Sequence, residues 1–494
     1  MAALKPWPGR KPVTFQSFEY AVLLILVFGA YWFLPRRPQN VLLLIASYVF
    51  YAYVDPRLAL LLAGYTVVNY TAARAIAGDR ENGRRYLVLA VVASLGALGF
   101  FKYAGFFVDN FASVLDTVGL AGFDSTLRII LPVGISFYTF QSLGYVIDVY
   151  MERTHARRDF IDTALFIGFF PQLVAGPIER AAKLLPQFER TRKFRPGQAA
   201  SGLSLLAWGL FKKLVIADNI GMIVDDIFST TGPGAAMLWV GVFAFGIQIL
   251  ADFSGYTDIA RGSARLLGIE LSPNFRHPWL ASSPADFWRR WHITLSTWLR
   301  DYVYIPLGGN RPLGGGQPLA ENRPLGGNKP ESRRPANLRT AINIVITFVL
   351  GGLWHGAAWN FVIWGLFHAG LILIWRGASL LNMRSIKPVS IALTFLLIGT
   401  GWALFREGDL AFIGENLFGQ SRDVQLAAAL GATALLYSIP LWLHAIVDQP
   451  KFAAYWKRND VSRTIGLTAI TLTSFVGILL FRAGASAEFI YFRF

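Results

Sequence analysis

Long apolar runs, separated by short polar connections, recur along almost the whole chain. Each run covers roughly 15 to 23 residues, and about 20 residues of helix cross the hydrocarbon core of a bilayer. The pattern predicts helices at residues 18–34, 41–54, 58–77, 86–104, 128–150, 160–178, 200–219, 236–258, 340–354, 356–376, 389–405, 425–446 and 464–482. Because several runs are short or contain Pro and Gly, we expect about ten to twelve true crossings, with re-entrant or interfacial segments among the rest. The predicted fold class is an all-α polytopic membrane protein.

Two of these apolar runs contain segments that cannot be regular helix. They are Leu131-Pro132-Val133-Gly134 and the stretch 170–177, which reads FPQLVAGP. Non-helical backbone at membrane depth is tolerated only where protein or a water-filled cavity satisfies its polar groups. The two segments therefore point to an internal cavity.

Composition agrees with a membrane-embedded fold. Hydrophobic residues make up 54% of the 494 residues and charged residues 15%, whereas soluble domains carry about 25% charged residues. No polar stretch is long enough for a soluble catalytic domain, so chemistry must take place within the membrane fold or at its rim. The chain has no Cys, which excludes disulfides and a cysteine nucleophile.

The charge is strongly basic, and its placement matters more than its size. Lys and Arg number 46 against 30 Asp and Glu, a net charge of +16. The basic residues cluster in the connections 79–85, 153–158, 180–195 and 311–339, as in the cytoplasmic loops of membrane proteins. Nucleic-acid binding would need a basic face on a folded polar domain, and we set it aside.

The chain divides into three parts by composition. Residues 1–14 form a basic N-terminal extension, residues 15–494 a single membrane-embedded domain, and residues 310–339 a basic Pro/Gly-rich loop inserted in it. The run after the extension ends in Pro35-Arg36-Arg37 without a small-residue cleavage site, so we expect a retained helix instead of a signal peptide. The tetrapeptide Pro-Leu-Gly-Gly occurs at 306–309, 312–315 and 324–327. We expect a mobile connector there; a phosphate-binding cradle would need the Walker spacing, which is absent.

Two of the six histidines occupy positions suited to chemistry. His355 falls between two apolar runs in Leu353-Trp354-His355-Gly356, where an ionisable group is costly and suggests function. The alternative is a histidine that hydrogen-bonds across helices. His292 lies in a segment whose aromatic residues repeat at the three-and-four spacing of one helical face. That spacing predicts an interfacial helix over 287–302 with His292 on its buried side, as a functional or a core histidine.

The remaining titratable residues are weaker candidates. His368 shares an apolar run with His355, and on one helix the two side chains would lie about 220° apart, so we expect His368 to pack or to support the site. Asp258 and Arg261 are three residues apart and should pair. Asp252 has no basic residue at helical spacing and is a candidate to orient a histidine or line a polar path. No cluster has metal-ligand spacing, and we predict no metal.

At these residues the chain resembles the membrane-bound O-acyltransferase family, and within it the branch of bacterial alginate O-acetylation. The resemblance runs from about Phe15 to Phe494. It is carried by segments such as LPVGISFYTFQSLGYVIDVY (131–150), FFPQLVAGPI (169–178), GLFKKLVIAD (209–218), DFSGYTDIARGSA (252–264) and GGLWHGAAW (351–359), with residues 288–309 and the closing FIYF (489–492). Two departures are the extension of the first fourteen residues and the lengthened loop between the two histidines.

The resemblance implies acyl transfer to a hydroxyl across the bacterial inner membrane. Family members place a histidine at the position of His355 and a His or Asn at that of His292, near the middle of a funnel or tunnel. His355 would be the general base and His292 its partner, with Asp252, Trp354 and Trp291 as supporting residues. The co-substrate would be acetyl-coenzyme A or another acyl thioester, with no permanently bound cofactor. Periplasmic acetyltransferase partners of a polysaccharide-modification complex, together with membrane lipid, would complete the system.

Two other functions compete with this interpretation. D-alanyl transfer from a carrier protein to teichoic acid belongs to the same family, but the motifs match the alginate branch better. A transporter or flippase for a lipid-linked sugar would show repeated halves with paired broken helices, and the sequence has no such symmetry.

Overall fold

The computed structural model describes residues 14–53, 55–119, 131–310, 338–381, 386–449, 460–484 and 487–492. Every regular element in these ranges is helical, which confirms the all-α prediction. The chain forms two compact units. The first comprises Met1–Gly221, Ile247–Pro273 and Leu436–Phe494, and the second comprises Met222–Gly246 and Asn274–Leu435.

The described α-helices are numbered here in chain order. They are α1 (Phe18–Tyr31), α2 (Arg36–Ala52), α3 (Pro56–Gly78), α4 (Gly83–Leu98), α5 (Ala104–Thr117), α6 (Ile135–Tyr150), α7 (Phe160–Gly168), α8 (Ala181–Glu189), α9 (Pro196–Phe211), α10 (Asp218–Ser229), α11 (Gly234–Leu266), α12 (Pro284–Trp288), α13 (Ile293–Leu299), α14 (Leu338–His355), α15 (Trp359–Ala378), α16 (Lys387–Arg406), α17 (Leu410–Leu417), α18 (Val424–Val447) and α19 (Asp460–Phe481). Single π-helical turns occupy Gly99–Tyr103, Lys212–Ala217 and Arg300–Tyr304.

Eight helices in the described part of the chain are long and apolar enough to cross a membrane. They are Gly83–Thr117, Pro196–Ser229, Gly234–Leu266, Leu338–His355, Trp359–Leu381, Lys387–Arg406, Val424–Val447 and Thr464–Phe481. The helix Phe18–Tyr31 is apolar but shorter. The prediction of a multi-pass membrane protein is therefore confirmed.

The first unit holds the two interrupted segments. Helix α6 has almost no exposed side chains, and its polar residues, such as Gln141 and Asp148, are buried together with its apolar ones. Gly134 precedes it with φ of 78°, a conformation that glycine adopts without strain. A Cβ at Gly134 would lie 2.5 Å from the carbonyl oxygen of Leu173. The two segments therefore pack against each other, and the glycine allows their backbones to approach.

Buried ion pairs join elements of the first unit. Lys213 Nζ lies 2.8 Å from Asp218 and 2.9 Å from Asp252, and all three side chains are at most 3% exposed. Asp258 pairs with Arg261 at 3.0 Å, as its spacing predicted. Asp258 also pairs with Lys212 at 2.7 Å. Each of these buried charges thus has an opposite charge beside it, which offsets the cost of burying it in an apolar interior.

The second unit contains an antiparallel hairpin of α14 and α15, in which the chain reverses after His355. Gly352 faces the carbonyl oxygen of Phe361, and a Cβ at Gly365 would lie 2.5 Å from the carbonyl oxygen of Phe348. Small residues let two membrane helices pack closely. The premise that His355 and His368 share one helix is wrong, because the segment 356–358 turns the chain back.

Candidate active site

His355 is the last residue of α14 and is almost fully buried. Its ring packs edge-on against three aromatic rings, with centroid distances of 5.1 Å to Trp354, 5.3 Å to Trp364 and 5.2 Å to Phe405. These rings fix the orientation of the imidazole. His355 also lines a cavity of about 300 Å³, so an aromatic cluster holds it at a space that a ligand can enter.

His292 lies at a break between two short helices and not within one long helix. Helix α12 ends at Trp288, and His292 caps α13 with φ of 39° and ψ of 54°. A left-handed backbone at a residue other than glycine is strained, and such strain often accompanies function. The prediction of a continuous helix over 287–302 is therefore wrong, although His292 is buried as its spacing predicted.

Asn274 holds the start of α13 in place. Its side-chain oxygen accepts hydrogen bonds from the Thr294 hydroxyl at 2.6 Å and the Thr294 amide at 3.3 Å. Its backbone oxygen accepts one from the Ile293 amide at 2.9 Å. These bonds fix the backbone on the C-terminal side of His292. No sequence pattern identified Asn274 as part of the site, because a lone Asn beside a Pro indicates only a turn.

The structure brings His292 and His355 together although 62 residues separate them in the sequence. Their ring centroids lie 6.3 Å apart, and the planes are inclined by 52°. Trp354 touches both, with centroid distances of 5.4 Å to His292 and 5.1 Å to His355. Two imidazoles at this separation can act on one small group placed between them or beside them.

Burial also sets the charge state of His292. Desolvation lowers the pKa of His292 to about 3, because the imidazolium loses its hydration in an apolar surrounding. The ring is therefore neutral at physiological pH. A neutral imidazole is able to accept a proton or share a hydrogen bond, as acid–base chemistry requires.

The predicted supporting residues have different surroundings. Trp291 stacks on Phe287 at 5.4 Å and contacts Trp402 at 4.9 Å, so it packs in the core behind His292. His368 lies 4.6 Å from Trp364 by ring centroids and is fully buried. Neither ring nitrogen of His368 has a hydrogen-bond partner among the described residues. Trp364 thus lies between His368 and His355.

Asp252 belongs to the first unit, and both of its carboxylate oxygens have partners there. One pairs with Lys213 at 2.9 Å, and the other accepts a hydrogen bond from the Ile490 amide at 2.7 Å. Neither partner is a histidine. These contacts explain the closing FIYF segment, since they tie it to the buried ion pairs.

No group of three or more His, Asp or Glu side chains in the described part of the chain has the arrangement of a metal site. The histidine pair offers the acid–base chemistry of two imidazoles, one of which lines a cavity. The walls of this cavity are mostly apolar, with Trp288, Leu295, Leu299, Ile344, Phe348 and Ile372 among the lining residues.

The cavity also reaches polar side chains that the sequence analysis did not select. Arg376 and Asn310 line it together with Tyr304 and Arg300. Asn310 accepts hydrogen bonds from Tyr304 at 2.7 Å and Arg376 at 3.0 Å. The available signal was an arginine in the last turn of an apolar helix, twelve residues after Trp364, but helix ends often carry arginine.

Comparisons with known proteins agree with the motifs. The family model described as the membrane-bound O-acyltransferase family matches residues 152–317. The chain is 34% identical to a protein named "Probable alginate O-acetylase" from Azotobacter vinelandii, over 98% of this chain and 100% of that protein. It is 34% identical to a peptidoglycan O-acetyltransferase of Helicobacter pylori, over 80% of this chain and 76% of that protein. It is 25% identical to a teichoic acid D-alanyltransferase of Bacillus subtilis, over 49% of this chain and 58% of that protein.

Proposed function

Because the chain belongs to the membrane-bound O-acyltransferase family, we propose that this enzyme moves acetyl groups across the bacterial inner membrane to an exopolysaccharide. The donor is a thioester on the cytoplasmic side, with acetyl-coenzyme A as the candidate. The acceptor polymer is alginate, reached through periplasmic acetyltransferase partners. Relatives named for alginate that align along nearly the whole chain support this choice of polymer.

The observation that carries the proposal is a buried histidine, His355, at a mostly apolar cavity, with a second buried histidine beside it. His355 lines the cavity. The ring centroid of His292 lies 6.3 Å from that of His355. The mostly apolar walls offer water few hydrogen-bond partners beside the reacting thioester, so hydrolysis competes less with transfer. A hydroxyl that enters beside His355 meets a base held in one orientation by three aromatic rings.

The reaction needs one base and one site for negative charge. His355 accepts the proton of the acceptor hydroxyl while the hydroxyl oxygen attacks the thioester carbonyl carbon. The tetrahedral intermediate collapses with cleavage of the C–S bond, and the imidazolium of His355 returns the proton to the departing thiolate. An ester and a free thiol result, so atoms and charge balance. A base of this kind contributes about 10²- to 10⁴-fold in rate.

His292, which contacts the Trp354 ring that His355 also contacts, serves the same step. As a neutral imidazole it donates a hydrogen bond from its N–H to the oxygen that becomes negative in the intermediate. Hydrogen bonds to a developing oxyanion lower the barrier more than those to the ground-state carbonyl. The strained backbone of His292 is in keeping with a position selected for the direction of its ring.

The distribution of charge supports a cytoplasmic donor. The segment 311–337, which precedes α14 in the sequence, is basic. It carries Arg311, Arg323, Lys329, Arg333 and Arg334 against Glu321 and Glu331. Basic loops stay on the cytoplasmic side of the membrane. The predicted mobility of this loop falls on residues outside the described ranges. The negative phosphates of a donor such as acetyl-coenzyme A are attracted to basic residues on that side.

Acetyl transfer by purified protein tests the proposal. Wild-type protein in detergent micelles, supplied with acetyl-coenzyme A and an alginate oligosaccharide or a periplasmic partner, should release thiol and form an acetyl ester. His355→Asn should lower the rate by at least about 10²-fold, because it removes the base. His155→Asn is the matched control, since His155 is exposed in a loop. Transfer at wild-type rate by His355→Asn would remove the base from the mechanism.

A further inference from the structure

The cavity beside His355 has a polar end as well as a catalytic one, and the helix geometry places them apart. On α15, Trp364 contacts His355, and Arg376 follows twelve residues later. At 1.5 Å per residue this is roughly 18 Å along the axis. On α14, Ile344 precedes His355 by eleven residues, or roughly 16 Å, and Ile344 packs with Ile372 near the Arg376 end. The cavity therefore extends roughly 16 to 18 Å, or about three helical turns, along the hairpin from the His355 imidazole to the Arg376 guanidinium.

Arg376 carries a positive charge without a matching carboxylate among the described residues. One of its terminal nitrogens donates to Asn310 at 3.0 Å, and Tyr304 donates to the same oxygen at 2.7 Å. Its Nε is buried and has no hydrogen-bond partner in the described ranges. Arg300 also lines the cavity, but it pairs with Asp301 at 2.8 Å. A guanidinium that lines a cavity, is held by an amide oxygen and has no carboxylate partner in the described ranges is suited to bind an anion.

The walls between the two ends offer hydrogen-bond acceptors in an apolar setting. Ser296 and Thr347 line the cavity. Each hydroxyl donates its proton to a backbone carbonyl, of Trp291 at 3.1 Å and of Asn343 at 2.6 Å respectively. The hydroxyl oxygens therefore keep lone pairs for donors on a ligand. The ligand that fits is mostly apolar, has a few N–H groups along its length, and ends in an anion.

A thioester on a phosphopantetheine arm has this pattern and this length. Thirteen bonds separate its sulfur from its phosphorus, and two amide N–H groups lie between them. Three backbone bonds of an extended chain span about 3.3 to 3.6 Å, so thirteen such bonds span roughly 15 Å. A fatty acyl chain brings no amide groups and no distant anion, and a sugar polymer is polar throughout. Of these three ligands, the phosphopantetheine arm is the one that matches both ends and the walls of the cavity.

We infer that Arg376, held by Asn310 and Tyr304, binds the phosphate of a phosphopantetheine thioester whose acyl carbon lies at His355. The inference rests on the proposed function and names the part of the donor that the enzyme recognises. Coenzyme A and a phosphopantetheinylated carrier protein share this chemistry. Arg376 is a binding residue for the donor and takes no part in bond making.

Equilibrium binding to the purified full-length protein in detergent micelles tests the inference. The probes are coenzyme A, phosphopantetheine, pantetheine and a phosphopantetheinylated acyl carrier protein. Wild-type protein should bind phosphopantetheine roughly 10- to 100-fold more tightly than pantetheine, because a hydrogen bond to a charged group is strong. Arg376→Gln should abolish this preference and leave the Kd for pantetheine unchanged. Arg289→Gln is the control, since Arg289 is exposed and pairs with Asp286.

The binding results for phosphopantetheine and pantetheine either support or overturn the role of Arg376. A wild-type protein with equal affinity for phosphopantetheine and pantetheine overturns the inference, as does an Arg376→Gln protein that keeps the preference. If Arg376→Gln binds no probe, Arg376→Lys decides instead: a retained phosphate preference supports the inference, and its loss overturns it. Tighter binding of coenzyme A than of the carrier protein, or the reverse order, supports the inference and identifies the source of the arm.

A parallel assay separates this inference from the proposed function. Acetyl transfer from acetyl-coenzyme A by wild-type protein, without any phosphate preference in binding, overturns the role of Arg376 alone. A phosphate preference that disappears in Arg376→Gln supports the binding site even where no acetyl is transferred. In that case the proposed acetyl transfer fails, and the site binds a phosphopantetheine compound for another purpose.

Discussion

At the scale of single residues, His292 and His355 differ in how the backbone presents them. His355 ends a long membrane helix in regular conformation, whereas His292 has a left-handed backbone between two short helices. The regular position gives a rigid base. The strained position directs a ring toward that base at a cost of about 1 to 3 kcal/mol in local stability. Such strain is typical of functional sites, where the orientation of a side chain affects activity.

Substitution of His292 should therefore affect turnover. We expect His292→Ala to lower kcat by about 10²-fold with little change in KM for the donor, because it removes a hydrogen bond made mainly in the transition state. His292→Asn keeps a side-chain donor and should retain more activity. The measurement is the rate of thiol release under saturating acetyl-coenzyme A. Wild-type kcat in His292→Ala would assign the residue to packing alone.

Burial of His292 also predicts a dependence of stability on pH. Its pKa is about 3 in the folded protein and about 6.5 in an unfolded chain. This difference in pKa makes its full contribution to the free energy of unfolding above pH 6.5. The contribution is lost as the pH falls toward 3, with a slope of about 1.4 kcal/mol per pH unit. Between pH 4 and 7, the thermal unfolding temperature of wild-type protein should therefore change more strongly with pH than that of His292→Gln. If the unfolding temperatures of the two proteins change equally with pH, the ring of His292 is not held neutral by burial.

The sequence pattern identified His292 and His355 as candidates but did not predict that their rings lie close together. An ionisable residue between apolar runs is unusual, so His355 could be selected without a structure. The contact between His292 and His355 depends on how α13 meets the end of α14, and no local pattern encodes it. Arg376 was missed for a similar reason, because its significance lies in a cavity formed by several elements.

At the scale of elements, the hairpin of α14 and α15 sets the position of His355. Gly352 packs against the backbone of Phe361, one turn before His355. A side chain at Gly352 must push the two helices apart, and His355 moves with the end of α14. Gly370 lies in α15 with nothing within 4 Å of an added Cβ, so it offers a matched comparison.

We expect Gly352→Ala to lower both thermal stability and acetyl transfer, by roughly 1 to 3 kcal/mol in stability because the packed helices cannot absorb the methyl group. Gly370→Ala should be neutral or stabilising by up to about 1 kcal/mol, since alanine favours helix over glycine. Unfolding in detergent and the rate of thiol release measure the two effects. Equal behaviour of the two variants would show that close helix contact is not needed at Gly352.

The closing segment is a second element with a defined role. Phe489 stacks on Tyr256 with ring centroids 4.0 Å apart, and the Ile490 amide donates to Asp252. Asp252 also balances the charge of Lys213. Removal of one partner from a buried set of charges typically costs 3 to 5 kcal/mol. The segment is therefore a structural part of the first unit.

Asp252→Ala should lower thermal stability by at least about 3 kcal/mol while the folded fraction keeps its acetyl-transfer rate. Asp226→Ala is the control, because Asp226 is an exposed carboxylate. Unfolding is followed in detergent, and activity is normalised to folded protein. A loss of turnover with unchanged stability would instead support the predicted role of Asp252 in orienting a histidine.

Helix positions were predictable to the extent that they depend on hydrophobic runs. The runs predicted at 389–405 and 425–446 correspond to α16 and α18, because lipid exposure requires apolar residues over a full crossing. The run predicted at 160–178 is a helix only at Phe160–Gly168. Its second half is buried in the first unit, where tertiary contacts replace helical hydrogen bonds and hydrophobicity no longer indicates helix.

At the scale of the whole molecule, composition and charge predicted the class of protein more reliably than its substrate. Low charge and repeated apolar runs follow from the bilayer itself, so any multi-pass protein must have them. The acceptor meets only the few groups at the site. Relatives named for alginate, peptidoglycan and teichoic acid align with the same chain, which shows how little of the sequence the acceptor determines.

Acetyl content in cells decides between these acceptors. Three strains that form exopolysaccharide are compared: one with wild-type protein, one with His355→Ala and one without the protein. The wild-type and His355→Ala proteins must be equally abundant in the membrane. We expect ester-linked acetyl to be lost from the exopolysaccharide equally in the second and third strains, since both lack the base. Peptidoglycan acetyl should not change. Loss of acetyl from peptidoglycan instead, with the exopolysaccharide unaffected, would keep the histidine mechanism and move the acceptor to the cell wall, because the same base serves any hydroxyl that reaches it.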